Sequence, residues 1–273
     1  MKKILDFFYP PRCQLCGSSN HLEYKGQLCT ACAGDIHIND HACGLCAVPL
    51  AITGVTPGAT PGATHGATHG ATSGATSGAT HGTTVESSQK NVSEICMQCS
   101  KKPPVYDACW SPFVYAQPLE WMIQQLKFNA KLNYASLLSD LISANLPRSI
   151  YDDARPDVII PMPLHNRRLK QRGFNQSQLL IEPIAKALQI PLDLKSCRRI
   201  LDTQHQTGKS ARHRQRNIKH AFKFINRKNY RHVVIFDDVV TTGSSVSELC
   251  RELKKDGVLR VDVWSLARAE KLN

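Results

Sequence analysis

Residues 233–245 read Val-Val-Ile-Phe-Asp-Asp-Val-Val-Thr-Thr-Gly-Ser-Ser. Asp237 and Asp238 are adjacent carboxylates, the group that holds sugar hydroxyls or a magnesium ion. Thr241, Thr242, Gly243, Ser244 and Ser245 are all small. Backbone N–H groups and hydroxyls of such a loop wrap a phosphate, and the helical pattern that follows, Val246–Lys255, adds the positive end of its dipole. Val233–Phe236 is apolar with β-branched residues prominent, which predicts a buried strand with the acids at its C-terminal end.

A second segment carries complementary chemistry. Pro161-Met162-Pro163-Leu164-His165 leaves a predicted strand at 157–160, and its prolines stiffen the exit from the sheet. His165, Arg167, Arg168, Lys170 and Arg172 follow with no acid among them, a surface suited to a pyrophosphate. In Arg172-Gly173-Phe174-Asn175-Gln176 the glycine permits a tight turn, and Arg, Asn and Gln supply directed hydrogen bonds.

A third segment, 198–231, holds eleven Lys or Arg against one acid, Asp202. Arg199, Gln204, Arg212, Arg214 and Arg216 are its candidate ligand groups. Residues 203–210 are polar and 211–220 can be helical. Such a segment serves as a lid over a bound pyrophosphate, as a nucleic-acid track, or merely as a solvated basic face.

The cysteines form four Cys-x-x-Cys pairs: Cys13/Cys16, Cys29/Cys32, Cys43/Cys46 and Cys96/Cys99. Each turn aims two thiolates at one ion, and two turns close a tetrahedral S4 site that suits zinc. Four pairs before residue 100 argue against a thioredoxin-type redox site, which has one pair in a strand–helix context. Sequential pairing into two structural zinc sites is expected; a cross-braced arrangement stays compatible with the spacing. Twelve residues separate the first two pairs and 49 the last two, because 53–84 is a tetrapeptide repeat of the xGAT type. That composition has little to bury and predicts a disordered insertion, with its histidines as passengers.

These motifs need a frame. The chain has 273 residues, 42% hydrophobic, with a net charge of +12. That is room for a double zinc ribbon (1–105) and one α/β domain (106–273), with a bias toward anionic partners. Helical spacing marks Leu119, Met122, Ile123 and Leu126, then Leu137, Leu138, Leu141 and Ile142, then Leu179–Leu188 despite Pro183. Ala221–Ile225 reads as a weak strand and Val261–Leu266 as the last. The alternation predicts a mainly parallel sheet covered on both faces, with ligands at its carboxyl edge. No apolar run reaches the ~20 residues of a membrane span. Asp6 and Pro10-Pro11 interrupt the apolar start, so a cytoplasmic protein is expected.

Residues 233–245 resemble, position for position, the phosphoribosyl-pyrophosphate (PRPP) signature of type I phosphoribosyltransferases. The Cys-rich start, Pro-x-Pro-Leu-His, Arg-Gly-Phe-Asn-Gln, the Arg/Gln-rich segment and Asp-Asp-x-x-Thr-Thr-Gly together resemble the ComF/GntX family, over nearly the whole chain except the repeat. The resemblance implies a double zinc ribbon joined to a type I phosphoribosyltransferase fold, and a part in DNA uptake, handling incoming single-stranded DNA beside other uptake proteins. It implies that Asp237 and Asp238 hold the ribose, Thr241–Ser245 the 5′-phosphate and Pro161–His165 the pyrophosphate with its magnesium, and that Arg199–Arg216 is the mobile loop. An active phosphoribosyltransferase of nucleotide salvage, and a nucleic-acid-binding zinc-ribbon protein with a silent transferase fold, are the alternatives. No acceptor pocket is legible.

Overall fold

The computed structural model describes residues 10–51, 94–147, 155–202, 218–225 and 228–270. The repeat at 53–84 and Gln204, Arg212, Arg214 and Arg216 lie outside the described residues.

In chain order the elements begin with β1 (Leu22–Glu23), β2 (Leu28–Cys29), α1 (Thr30–Gly34) and α2 (Met97–Lys101) around the cysteine turns. Then come β3 (Ala108–Trp110), β4 (Phe113–Val114), α3 (Leu119–Asn129), α4 (Asn133–Ala144), β5 (Val158–Pro161), α5 (Asn166–Arg172) and α6 (Gln176–Ala187). The chain ends with β6 (Cys197–Arg199), β7 (Phe222–Phe224), β8 (His232–Val240), α7 (Ser244–Lys255) and β9 (Arg260–Arg268).

The main sheet runs β3-β9-β8-β5, with β4 also on β9, and every pairing is parallel. This is the parallel sheet the apolar strands predict: β8 is buried from His232 to Phe236 because both of its faces are covered. Val234 and Phe236 pack with α3, α4 and α6, whereas Val233 and Ile235 pack with α7. The predicted helix faces are the buried ones: Leu119, Met122, Ile123 and Leu126 on α3, and Leu137, Leu138, Leu141 and Ile142 on α4. Helix α6 holds Pro183 in its interior and starts at Gln176, earlier than its apolar spacing indicates. There Asn175 accepts from the N–H groups of Ser177 and Gln178.

The cysteine turns sit on both sides of this sheet. Cys13, Cys29, Leu28 and Ile36 join the cluster of α3, α4 and α6. Tyr134 donates to the Gln14 carbonyl at 3.0 Å and Lys25 pairs with Asp140 at 2.5 Å. Cys43, Cys46, Val48 and Cys99 join the cluster of α7 on the opposite face.

Three local expectations need correction. The central strand does not stop at Phe236: the ladder continues through Asp237, opposite Ser265, to Val240, opposite Arg268. The acids are therefore inside β8, and Ser244 and Ser245 open α7 rather than the loop. The weak strand at 221–225 shrinks to β7 and pairs antiparallel with β6 outside the main sheet. Among the described residues no helix is long and apolar enough to cross a membrane.

Candidate functional site

Register brings the two anion-site motifs together. Pro161 pairs with Phe236, the residue before Asp237, and Met162 N–H donates to the Phe236 carbonyl at 2.7 Å. The exit of β5 and the acids of β8 therefore share the carboxyl edge of the sheet, where open parallel sheets hold ligands.

Asp238 is only 3% exposed. The ammonium of Lys127, from the last turn of α3, pairs with Oδ2, and Gln176 Nε2 donates to Oδ1 at 3.3 Å. Burial alone raises the pKa of Asp238, but the Lys127 charge outweighs it and holds the carboxyl below its usual range. Burial likewise disfavours charge on Lys127, and the acid restores it. Asp237 Oδ1 accepts from Ser177 Oγ at 3.2 Å and from Asp238 N–H at 2.9 Å. Burial and the neighbouring Asp238 charge push its carboxyl up to about 8. Two adjacent carboxyls thus differ in protonation near neutrality, because one cation neutralises one of them.

The loop beyond Val240 turns at Gly243, whose φ of 73° is left-handed and suits glycine alone among common choices. Thr242 Oγ1 lies 2.8 Å from Ser244 Oγ and accepts from Ser244 N–H at 3.3 Å. The first N–H groups of α7 have no intrahelical partner, so the loop presents donors and a dipole to an anion.

The basic segments surround this edge, with some groups committed internally. Met162 is buried, so its side chain belongs to the core. His165 caps α5, accepting from Arg167 N–H at 3.3 Å, and Gly173 ends that helix at φ 83°. Asp202 draws in His165, Arg167 and Arg168 at 3.9, 3.7 and 3.7 Å. Asn175 spends its amide on the Met162 carbonyl at 3.0 Å. Arg172 donates to Gln176 Oε1 at 2.5 Å and so joins the Asp238 network. Arg199 stacks on Phe222 at 5.6 Å. Ile200 N–H reaches the Ala221 carbonyl at 2.8 Å, so the residue after β6 and the residue before β7 stand side by side within the basic segment.

The metal centres pair as the sequential reading has it: Cys13, Cys16, Cys29 and Cys32 form one cluster, and Cys43, Cys46, Cys96 and Cys99 the other, each with all Sγ atoms within 4.8 Å. Cys16 and Cys29 Sγ atoms stand 3.6 Å apart, and those of Cys46 and Cys96 3.8 Å. A tetrahedron of ~2.3 Å Zn–S bonds has edges of about 3.8 Å, so both clusters fit zinc. Every cysteine is a free thiol. Burial opposes ionisation of Cys13 and Cys43, yet N–H groups of Cys16 and Cys29 at the first, and of Cys96 and Cys46 at the second, bring them down to about 6 and about 7. These donors favour the thiolate at Cys13 and Cys43, whereas burial, followed by neighbouring cysteines of the same cluster, pushes Cys32 and Cys99 up.

Sequence reasoning missed Lys127, Ser177 and Arg268. Arg268 is 1% exposed at the end of β9. Its Nε donates to the Cys46 carbonyl at 2.9 Å, and its Nη1 to the carbonyls of Val240, at 2.7 Å, and Thr241. β9 also holds Arg260, Asp262 and Ser265, so nothing local singles Arg268 out. For Lys127 no local signal exists.

A double zinc ribbon domain model matches residues 4–62. The DNA utilization protein YhgH of Escherichia coli (strain K12) is 41% identical over 175 residues, covering 63% of this chain and 77% of that protein. Competence protein F of Haemophilus influenzae is 36% identical over 179 residues, 64% of this chain and 78% of that one. Among solved structures, adenine phosphoribosyltransferase from Saccharomyces cerevisiae aligns at 15% identity with a TM-score of 0.30, covering 52% of this chain and 71% of that one. With paired cysteine turns, a parallel sheet and relatives at this identity over more than three quarters of their length, the chain belongs to the ComF/GntX family.

Proposed function

We propose that this chain is a cytoplasmic DNA-utilization or competence factor that binds PRPP with magnesium and handles incoming single-stranded DNA. One observation carries the PRPP part: Asp237 and Asp238 lie in the C-terminal half of β8, which leads through the short turn Thr241–Gly243 into the N-terminus of a 12-residue helix opened by Ser244 and Ser245. In this reading the two acids hold the ribose hydroxyls, Asp238 as a carboxylate kept ionised by Lys127 and Asp237 as a carboxyl that holds its proton near neutrality. The 5′-phosphate takes the loop N–H groups, while Pro161–His165 and Arg172 face the pyrophosphate. Magnesium would neutralise pyrophosphate oxygens. The DNA part is supported by the names of the relatives and by the positive charge of 198–231.

Turnover needs no protein nucleophile. Ribose C1 separates from pyrophosphate through an oxocarbenium-like state, which basic groups around the leaving group stabilise. Retention of both acids supports an active transferase as the second reading. Calorimetric titration of one purified sample with PRPP and magnesium, then with a single-stranded oligonucleotide, tests the proposal. One PRPP per chain is expected; absence of PRPP heat rejects the site.

A further inference from the structure

Helix α3 carries two large aromatics where it should carry none. Its core face is Leu119, Met122, Ile123 and Leu126. Trp121 and Phe128 lie on the opposite face, seven residues and therefore about 10.5 Å apart along the axis. Phe128 is 74% exposed and Trp121 38%. Phe128 is not in the core cluster under α3, and Trp121 touches that cluster through one edge-to-face contact with Tyr134, ring centres 5.5 Å apart. Each ring has a cation on it: Lys131 Nζ stands 5.8 Å from the Trp121 ring centre, and the Arg172 guanidinium 5.8 Å from that of Phe128. Exposed Leu132 extends the stripe past the left-handed turn at Ala130.

On the single-strand reading above, we propose that this face of α3 is a stacking platform on which unpaired bases of single-stranded DNA lie, with Phe128 and Trp121 as its two steps. Flat exposed rings interleaved with Lys and Arg are what an unpaired polynucleotide binds, rings for base faces and cations for phosphates. A duplex keeps its base faces stacked inside and has no use for such rings. The site of the platform gives it purpose. Lys127, adjacent to Phe128, pairs with Asp238, and Arg172 connects the Phe128 ring to Asp238 through Gln176. A base on Phe128 therefore ends beside the two carboxylates of the sugar site. Charge decides the occupant: Arg167, Lys170 and Arg172 of α5 continue the positive surface. A net charge of +12 also makes a second copy of this chain a repulsive partner.

The experiment is fluorescence anisotropy of labelled oligo-dT on the full zinc-loaded chain over a salt series. Phe128→Ala and Trp121→Ala should each weaken binding about 5- to 100-fold without altering the salt slope, since neither removes a charge. Phe128→Trp should keep the parent affinity, which separates stacking from fold damage. Lys131→Ala should lower the slope by ~0.7. Oligo-dT should quench tryptophan emission in the parent and not in Trp121→Phe. Absence of oligo-dT binding by the parent overturns the single-strand reading together with this platform. Parent binding that both alanine variants retain overturns the platform alone. So does a concentration-dependent dimer that Phe128→Ala dissolves while leaving oligo-dT affinity intact.

Discussion

Arg268 and Cys46 are 222 residues apart in sequence and joined by a 2.9 Å hydrogen bond, guanidinium Nε to carbonyl oxygen. The same guanidinium holds the carbonyls of Val240 and Thr241, where β8 passes into the loop before α7. One buried side chain thus ties the second cysteine cluster to the start of the loop before α7. Replacing it with methionine leaves these carbonyls without their donor. Arg268→Met should cost about 3 kcal/mol or more in urea unfolding, and Arg268→Lys should not rescue it, because an ammonium lacks the planar fork. Stability equal to the parent in both variants would dismiss this tie.

Two zinc ions per chain are expected by metal analysis, and one in Cys43→Ser. The first site should persist, since it packs on the opposite face of the sheet. Hydrogen exchange should rise at Val240–Ser245 in Cys43→Ser and stay at the parent level in Cys13→Ser. Equal exchange in the two variants would refute the link through Arg268.

Asp237→Asn with Asp238→Asn should abolish PRPP binding; because it also leaves the buried Lys127 ammonium without its counter-charge, the variant should melt lower than the parent, and calorimetry is read at a temperature where circular dichroism shows it folded. Lys127→Gln should weaken PRPP binding and lower the melting temperature, since it leaves Asp238 buried with Gln176 as its remaining described partner. Unchanged calorimetric affinity in the double variant would remove the acids from the site.

Asp237 also makes stability depend on pH. Its carboxyl rises from an ordinary 3.8 to about 8 on folding, so the native state holds a proton that the unfolded chain has released. The stabilisation is complete below pH 3.8 and is lost as pH rises through about 8. Asp237→Asn should therefore melt higher than the parent at pH 8, by ~2–4 °C for each kcal/mol recovered, and the gap should narrow toward pH 5. A gap that widens on acidification would contradict the assigned direction.

Arg212, Arg214 and Arg216 test the basic segment separately from the α3 platform. Changing all three to alanine should lower the oligo-dT salt slope by about 2, each charge carrying ~0.7. An unaltered slope with weakened PRPP binding would make the segment a lid instead.

The legible parts of the fold were contiguous ones. Val233–Ser245 announces strand, acids, loop and helix in a single run, and each Cys-x-x-Cys is a self-contained turn. Helices α3 and α4 declare their buried faces through 3–4 spacing. What stayed hidden was decided by distant chain. Asp237 looks like a strand end until Ser265 pairs with it. Asn175 and Gln176 look like ligand groups until Met162 and Asp238 claim their amides. Lys127 and Arg268 carry no local mark, because their partners come from other elements altogether. The cysteine spacing also gives no hint that the two clusters take opposite faces of one sheet.

The buried Arg268 has a consequence for ionic strength. No carboxylate among the described residues pairs with its charge, which sits beneath the loop carbonyls out of reach of counterions. Exposed cations such as Lys131 and Lys170 are screened within a Debye length of ~8 Å at physiological salt, whereas a sealed guanidinium keeps its field. The molecule therefore has two populations of positive charge with different sensitivities to electrolyte. On the proposed function, rising salt should weaken a polynucleotide held by the exposed cations more than a phosphorylated sugar held at the loop.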